Sequence, residues 1–310
     1  MSCHETTAHS HVHQSRAMGT RLVVEVTGSS DLLNLAVERV VELERRWSRF
    51  LPDSDISRCN ATRGIPVTVS ADTRTLVRHG IAAWRRTGGT CDPSVLDAVI
   101  GAGYRSSFDE LTTPAHDDCG YAVGSPGCAG ITIDDELETV TLPTDTGFDP
   151  GAIGKGLAAD LVVDELLDAG AQGAFISIGG DIRCAGSAAY GDGWAVPIIE
   201  PSLSDQPLGA IHITGGAIAT STDRRRRWTS SSGDCHHIID PATGQSADLD
   251  ATLVTTVAGE AWWAEAVATQ LFMTPAAEWA STAAAAGVAA LIVDRAGRHH
   301  LIGAIQDYLR

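Results

Sequence analysis

The chain has 310 residues, of which 44% are hydrophobic, so it is long enough to bury a large core. It carries 22 Lys and Arg against 39 Asp and Glu, and the resulting net charge of −17 disfavours binding to nucleic acid or to an anionic membrane surface. No apolar run approaches the roughly 20 residues of a membrane-spanning helix, and residues 1–14 lack the apolar stretch of a secretion signal, so we expect a cytoplasmic protein without membrane insertion.

The first third of the chain shows both helical and strand patterns. Residues 1–16 are polar and rich in histidine, in a spacing that fits no defined metal site, and we expect a disordered tail. A β-branched run at 21–26 predicts a strand. Apolar residues at helical spacing predict helices at about 29–47 and 73–86, the second ending at a pair of glycines. The acidic, Pro- and Gly-rich residues 108–130 predict a surface excursion.

The rest of the chain mixes strands with helices. We expect strands at 131–133, 139–142, 174–178, 194–199, 208–213, 236–239, 252–257 and 288–293, the first two paired with each other. Helices are expected at 153–169, 260–273 and 275–286. Because this order lacks a steady βαβ rhythm, the sequence predicts an α+β fold, with mixed or antiparallel sheets flanked by helices, rather than a Rossmann fold. We expect one compact domain over residues 17–310.

Glycines mark the start of the helix predicted at 153–169. Residues 149–160 read DPGAIGKGLAAD, with glycine at 151, 154 and 156. Such a turn can point backbone N–H groups at a phosphate, at the positive end of the helix dipole, and Lys155 adds a positive charge. The spacing matches neither a P-loop nor GxGxxG. On this segment alone, a phosphate site and an ordinary strand-to-helix turn are equally good interpretations.

Three later segments also carry polar groups with two interpretations each. The SIGGD segment ending at Asp181 is either a place where backbone approaches a ligand or an ordinary turn. His236 and His237 precede a DPATG turn, and one of the two is expected to be a buried histidine with its hydrogen bonds satisfied. Glu265 and Thr269 lie one helical turn apart, so both could face a hard cation such as Mg²⁺, although such a pair is common by chance.

Taken in chain order, these segments resemble the ApbE-type flavin transferases, which are FAD:protein FMN transferases. The resemblance runs from Met18 to about Gly303. Its elements are MGT at 18–20, WSRF at 47–50 with Ser54 and Asn60, GGTCDP at 88–93, DPGAIGKG at 149–156, SIGGD at 177–181, ATST at 219–222, HHIIDPATG at 236–244 and AEAVAT at 264–269. The HxxDPxTG element together with D-x-G-x-x-x-K-G at this separation is specific.

The resemblance implies an enzyme that transfers the FMN half of FAD, with Mg²⁺, to a Thr or Ser hydroxyl of an acceptor protein and releases AMP. It implies FAD contacts at Met18, Phe50, Thr90, Cys91, Asp92, Asp149, Lys155 and His237. It implies a metal site formed by the Ala152 carbonyl, Glu265 and Thr269. We expect Lys155 to stabilise phosphate charge and His237 to move a proton or contact phosphate, with Asp149 as the third catalytic residue.

The chain departs from the family pattern at four positions. The metal-binding Asp of the family is Glu265 here, Cys91 replaces a usual aromatic residue, Ser94 a usual Thr, and Phe50 a commoner Tyr. The extra methylene moves the carboxylate of Glu265 by about a bond length, so Mg²⁺ affinity is expected to fall unless the backbone compensates. Two alternatives stay open: an FAD pyrophosphatase that gives FMN and AMP, and a non-catalytic FAD-binding protein.

Overall fold

The strands and helices below come from a computed structural model, which describes residues 9–105, 124–199, 207–224, 227–230, 233–247 and 249–310. The first eight residues of the predicted tail and residues 108–123 of the predicted excursion therefore lie outside the described residues.

The described elements alternate between strands and helices along the chain. The strands are β1 (Ser10–Ala17), β2 (Thr20–Thr27), β3 (Val67–Thr68), β4 (Thr132–Asp134), β5 (Thr139–Thr141), β6 (Gly173–Ile178), β7 (Asp181–Gly186), β8 (Trp194–Ile198), β9 (Gly209–Ile213), β10 (Gly216–Thr222), β11 (Arg227–Ser230), β12 (Gly233–His236), β13 (Ala251–Ala258), β14 (Ala289–Asp294) and β15 (His299–Ile302). The helices are α1 (Ser30–Trp47), α2 (Asp55–Ala61), α3 (Ala71–Arg86), α4 (Leu96–Gly101), α5 (Gly154–Asp168), α6 (Ala261–Met273) and α7 (Trp279–Ala286). The predicted α+β class is confirmed.

An eight-stranded antiparallel sheet runs through the middle of the molecule in the order β1-β2-β6-β7-β10-β13-β14-β15. Because its first strand lies near the start of the chain and its last strand near the end, the sheet ties the described residues into one domain. β2 pairs with β6, which places Leu22 opposite Ile178. The predicted pairing of the strands near 131–133 and 139–142 is confirmed by β4 and β5.

Each face of the large sheet is covered by a different layer. Helices α1, α5 and α6 pack on one face, where alternate residues of β2 such as Leu22 and Val24 meet the apolar side of α1. On the other face, the β8–β9 ribbon places Val196 and Ile211 against apolar side chains of β7, β10 and β13. The apolar residues that recur every second position in strands and every 3.6 positions in helices thus form the buried faces of these elements.

The N-terminal ends of α5 and α6 meet at close range. Gly156 lies so near the start of α6 that a Cβ built on it would overlap the backbone of Ala261 and Trp262. The carboxylate of Asp160, one turn further along α5, accepts hydrogen bonds from the Ala261 and Trp262 amides at 2.8 and 2.9 Å. It therefore caps α6 from the neighbouring helix, because these amides have no partner within their own helix.

The prediction of a disordered tail is wrong for residues 10–16. They form β1, the edge strand that pairs with β2 along its whole length, from Ser10 opposite Thr27 to Ala17 opposite Thr20. Met18 and Gly19, with φ of 52° and 67°, form the two-residue turn between the strands. Polar composition gave no hint of this strand because β2 supplies its backbone partners, and an edge strand buries few of its side chains.

The end of the predicted excursion is only partly at the surface: Pro126, Ala129 and Gly130 are exposed, whereas Gly127 and Cys128 are buried. Within residues 124–130, the Ser125 amide donates to the Pro241 carbonyl at 2.6 Å, and Cys128 is buried in the core. The glycines in this stretch allow close packing instead of marking an open loop, since a Cβ on Gly127 would lie against the ring of Trp84.

No helix within the described ranges is long and apolar enough to cross a membrane. The predicted cytoplasmic location is not tested by this finding and stays a prediction.

Candidate active site

A cavity of about 850 Å³ opens beside the first turn of α5. This volume lies in the upper part of the range for small-molecule and cofactor sites. Ten of the eleven residues that the sequence nominates line its wall: Met18, Phe50, Thr90, Asp92, Asp149, Ala152, Lys155, His237, Glu265 and Thr269. They are spread along the chain between Met18 and Thr269, and the fold brings them together.

Cys91 is the exception. Its side chain is fully buried in the core below the helices, and it does not line the cavity. Its amide donates to Thr87 Oγ1 at 3.0 Å, which fixes the turn after α3. Burial raises the pKa of its thiol. The small thiol at this position packs inward instead of reaching the cavity, and the predicted contact of Cys91 with FAD stays a prediction.

Asp92 holds a turn at the edge of the cavity. Its Oδ1 accepts from the Ser94 amide at 2.8 Å and from the Ser94 hydroxyl at 2.7 Å, while its Oδ2 accepts from the Ser125 hydroxyl at 2.6 Å. Ser94, where the family has Thr, thus keeps the hydroxyl that this network needs. The carboxylate is used for structure, and it joins the 92–95 turn to the segment at 124–128.

Asp149 is fixed from two sides at the start of the glycine-rich turn. Its Oδ1 accepts from the Gly151 amide at 2.8 Å, and its Oδ2 forms an ion pair with Arg49 Nε at 3.1 Å. The Asp149 amide donates to the Pro93 carbonyl at 2.7 Å. These contacts make Asp149 the link between the Arg49 loop, the 92–95 turn and the 3₁₀ turn Pro150–Ala152 that precedes α5.

Flat side chains form one wall of the cavity. The Phe50 ring is 5.7 Å from the Tyr104 ring, which stacks on Trp228 at 5.7 Å. The Arg49 guanidinium lies 4.2 Å from the Phe50 centroid and 4.7 Å from that of Tyr104. This wall suits a planar ring system, since aromatic rings and guanidinium groups stack on such a ligand. Phe50 keeps the ring that the commoner Tyr would supply.

The two adjacent histidines have different surroundings. His236 is buried, its Nε2 is 3.1 Å from the Ala247 carbonyl, and its Nδ1 accepts from the Ile238 amide at 3.3 Å. Burial lowers its pKa. His237 lines the cavity. One of the pair is thus the buried, satisfied histidine that the sequence predicts, and the other is the one that can meet a ligand.

Lys155, in the first turn of α5, sits between two carboxylates. Its Nζ is 2.7 Å from Asp181 Oδ2 and also contacts Glu265 Oε1. Glu265 Oε2 accepts from the Gly156 amide at 2.8 Å. Glu265 is only 4% exposed, and its burial, with the nearby charge of Asp181, raises the pKa of its carboxyl group. The close approach of α5 and α6 at Gly156 is what brings Glu265 to this position.

The three residues nominated for a metal are oxygen donors that line the cavity. Thr269 lies one turn after Glu265 and its hydroxyl donates to the Glu265 carbonyl at 3.2 Å, which leaves its oxygen lone pairs available. Ala152 ends the 3₁₀ turn Pro150–Ala152 that precedes α5. Within the described part of the chain, no group of three or more His, Cys, Asp or Glu is arranged to hold a metal. A cation here would depend on mixed oxygen donors and water, as is typical of Mg²⁺.

Two site residues were not nominated from the sequence. Arg49 lay unmarked inside the WSRF element, and no spacing rule connects it with Asp149. Asp181 was noted only as the end of SIGGD, where Gly179 and Gly180 form a tight hairpin turn with φ of 67° and 103°. Gly179 and Gly180 thus form a tight turn and also line the cavity, so both interpretations of SIGGD stay open. The acid that follows them contacts Lys155.

Comparison with known proteins agrees with this geometry. Residues 18–292 match the model of the ApbE family. An FAD:protein FMN transferase from Vibrio cholerae is 29% identical over 247 residues, which are 79% of this chain and 74% of the relative. One from Haemophilus influenzae is 25% identical over 272 residues, 83% of this chain and 79% of the relative. The solved ApbE protein from Thermotoga maritima superposes with a TM-score of 0.86 at 24% identity, over 97% of this chain and 100% of that one.

The fold and the cavity define an α+β domain with a large ligand site between its sheet and the start of two helices. The family match covers almost all of this domain, and the chain belongs to the ApbE family. The resemblance drawn from the sequence motifs is confirmed.

Proposed function

We propose that this chain is an FAD:protein FMN transferase, which attaches the FMN half of FAD to a Thr or Ser hydroxyl of an acceptor protein and releases AMP. The observation that carries the proposal is the convergence of ten nominated residues, from distant chain segments, on one cavity. Family membership supports it, since the curated relatives from several bacteria bear this enzyme name.

The proposed reaction exchanges one bond to phosphorus for another. The acceptor hydroxyl oxygen bonds to the phosphorus on the FMN side of FAD, and the bond from this phosphorus to the bridging oxygen breaks. AMP leaves with the bridging oxygen, and the hydroxyl proton goes to a base. We assign that role to His237, because imidazole titrates near neutral pH and this side chain lines the cavity. Lys155 and the amides at the start of α5 stabilise the phosphate charge.

The residues present fit Mg²⁺ as the metal. The Ala152 carbonyl, a carboxylate oxygen of Glu265 and the Thr269 hydroxyl are hard oxygen donors of residues that line the cavity. Among the described residues that line the cavity, five are Asp or Glu and three are Lys or Arg, so a diphosphate would be repelled without an added cation. When bound, Mg²⁺ neutralises diphosphate charge and favours departure of AMP.

Acceptor labelling tests the proposal. Purified protein is incubated with FAD, Mg²⁺ and a peptide of the DGxTSxT type, with and without chelator, and the peptide is analysed by mass spectrometry. We expect covalent FMN on the peptide and free AMP, both abolished by chelator. A Lys155→Met variant is the control for uncatalysed labelling.

The two alternatives give different products in the same assay. Free FMN and AMP with an unlabelled peptide would identify an FAD pyrophosphatase. Bound FAD with no product at any Mg²⁺ concentration would identify a non-catalytic flavin-binding protein. Either result would overturn the transferase assignment.

A further inference from the structure

The cluster formed by Asp181, Lys155 and Glu265 sets two acidic side chains against one basic side chain. Lys155 contacts both carboxylates, and the second oxygen of Glu265 is bound to the Gly156 amide. Both acids are buried, and all three charged side chains line the cavity. Two buried carboxyl groups therefore share one ammonium, so the cluster offers carboxylate oxygens to a second cation.

The cluster and the metal site share an atom. Lys155 Nζ contacts Oε1 of Glu265, while Oε2 is taken by a backbone amide. A cation that binds Glu265 through Oε1 shares that oxygen with the ammonium, and two positive charges on one oxygen repel each other. Lys155 therefore has to leave Glu265 when a cation binds, and Asp181, at 2.7 Å, is the carboxylate that still holds it.

The choice of residue type at position 155 agrees with this role. It is the one lysine among the 22 Lys and Arg residues of the chain. An ammonium is a compact point charge with three donors on a flexible stem, so it can pass from one carboxylate to another. A planar guanidinium prefers a fixed, two-pronged contact with a single carboxylate.

We propose that Lys155 is a built-in competitor of the divalent cation at Glu265, and that Asp181 is the positioning residue that retains the ammonium once the cation has displaced it. The inference rests on the proposed function, because the cation is the Mg²⁺ assigned there. Retention on Asp181 keeps the ammonium on the cavity wall, where it can contact a diphosphate. Binding of the metal therefore also places Lys155 where it can contact the diphosphate.

Calorimetric titration with Mg²⁺ alone, without flavin, tests the competition. We expect Lys155→Met to bind Mg²⁺ about tenfold more tightly than the wild type, because the competitor is gone, and Asp181→Asn to bind it about tenfold more weakly, both within the range for contacting residues. In the Lys155→Met background, Asp181→Asn is expected to change affinity by no more than about threefold. Asp294→Asn, which removes another buried carboxylate that pairs with Arg298 and His300, is the matched control.

Each contrary result has a defined meaning. Equal or weaker binding by Lys155→Met would overturn the competition. If Asp181→Asn weakens Mg²⁺ binding as much in the Lys155→Met background as in the wild type, Asp181 is a metal ligand. That result would overturn its positioning role. Mg²⁺ binding by no variant would remove the metal assignment of the proposed function as well. Mg²⁺ binding with unchanged affinity in Lys155→Met would overturn this inference and leave the proposed function intact.

A measurement on the unmodified chain keeps the test independent of variant folding. Protein labelled with ¹³Cε-lysine gives one lysine side-chain NMR signal, because the sequence has one lysine. We expect this signal to shift with Mg²⁺ at the midpoint found by calorimetry, and to reach a different end position in Asp181→Asn. A signal that stays in place at Mg²⁺ saturation would overturn the displacement.

Discussion

At the scale of single residues, the site is a set of side chains that hold one another. Asp149 is fixed by Arg49 and Gly151, Asp92 by Ser94 and Ser125, and Lys155 by two acids. Such mutual support keeps charged groups in place before a ligand arrives, which lowers the cost of arranging them during a reaction. The effect of replacing one of these side chains should then depend on which partner side chain loses its contact.

The length of the side chain at 265 gives a first prediction. Glu265→Asp withdraws the carboxylate from Lys155 and from the Gly156 amide by about one bond length. We expect higher turnover than the wild type at limiting Mg²⁺, by several-fold, and similar turnover at saturating Mg²⁺, measured as labelled acceptor per minute. Glu265→Gln, which keeps the size but not the charge, should be inactive at both. Unchanged or lower activity of Glu265→Asp at limiting Mg²⁺ would count against the competition at this position.

Buried His236 gives a pH prediction. Its pKa is lowered by burial from 6.5, so between the lowered value and 6.5 the unfolded chain binds more protons at this residue than the folded chain. The free energy of unfolding should therefore fall as the pH drops below about 6.5. In denaturant titrations at pH 7.5 and 5.5, His236→Gln should lose less stability on acidification than the wild type. An equal loss in both proteins would contradict this assignment of the acid sensitivity.

Most residues of the site could be predicted from the sequence, but only because they lie in recognisable motifs. Ten of the eleven nominated residues line the cavity, because each lies in an element with a recognisable spacing. Arg49 and Asp181 were missed, since their roles depend on partners that are distant in sequence, Asp149 and Lys155. The inward packing of Cys91 was not foreseen, because a match in position does not say which way a side chain points.

At the scale of elements, α1, α3, α5, α6 and α7 were predictable, whereas the short helices α2 and α4 and the strands with weak patterns were not. Ser29 and Ser70 accept hydrogen bonds from the first turns of α1 and α3, which begin and end close to the predicted bounds. β7 and β10 were not predicted, because an arginine interrupts the first and small residues fill the second. β12 begins and ends earlier than the predicted 236–239, and β15 follows the strand that was predicted to be the last.

The junction of α5 and α6 gives a prediction at this scale. Gly156→Ala would force a methyl group into the backbone of Ala261 and Trp262, and we expect a loss of about 1–3 kcal/mol in the free energy of unfolding. The rate of acceptor labelling should fall by more than the loss of folded protein explains, because Glu265 would move away from Lys155. Gly101→Ala, in α4 with open space around it, is the control and should be neutral or slightly stabilising. Similar denaturation curves for the two variants would refute the close approach.

At the scale of the whole molecule, ligand binding should stabilise the domain, because the cavity joins segments that are spread along the chain. We expect FAD with Mg²⁺ at about 100 times its Kd to add about 2.7 kcal/mol, which corresponds to a rise in Tm of about 4 °C. Riboflavin, which lacks the diphosphate, should give a much smaller rise, and a chelator should remove most of the effect of FAD. A Tm that is insensitive to FAD would show that this cavity is not the flavin site.

The pairing of β2 with β6 also affects how the chain is made. The hairpin of β1 and β2 leaves the ribosome long before β6 is synthesised, so one side of β2 has no backbone partner during most of translation. An open strand of this kind, with Leu22, Val24 and Val26 on one face, is a site for wrong association in a nascent polypeptide. Slow translation or an added chaperone should therefore increase the yield of folded protein. The increase should be larger than expected from the stability of the folded domain alone.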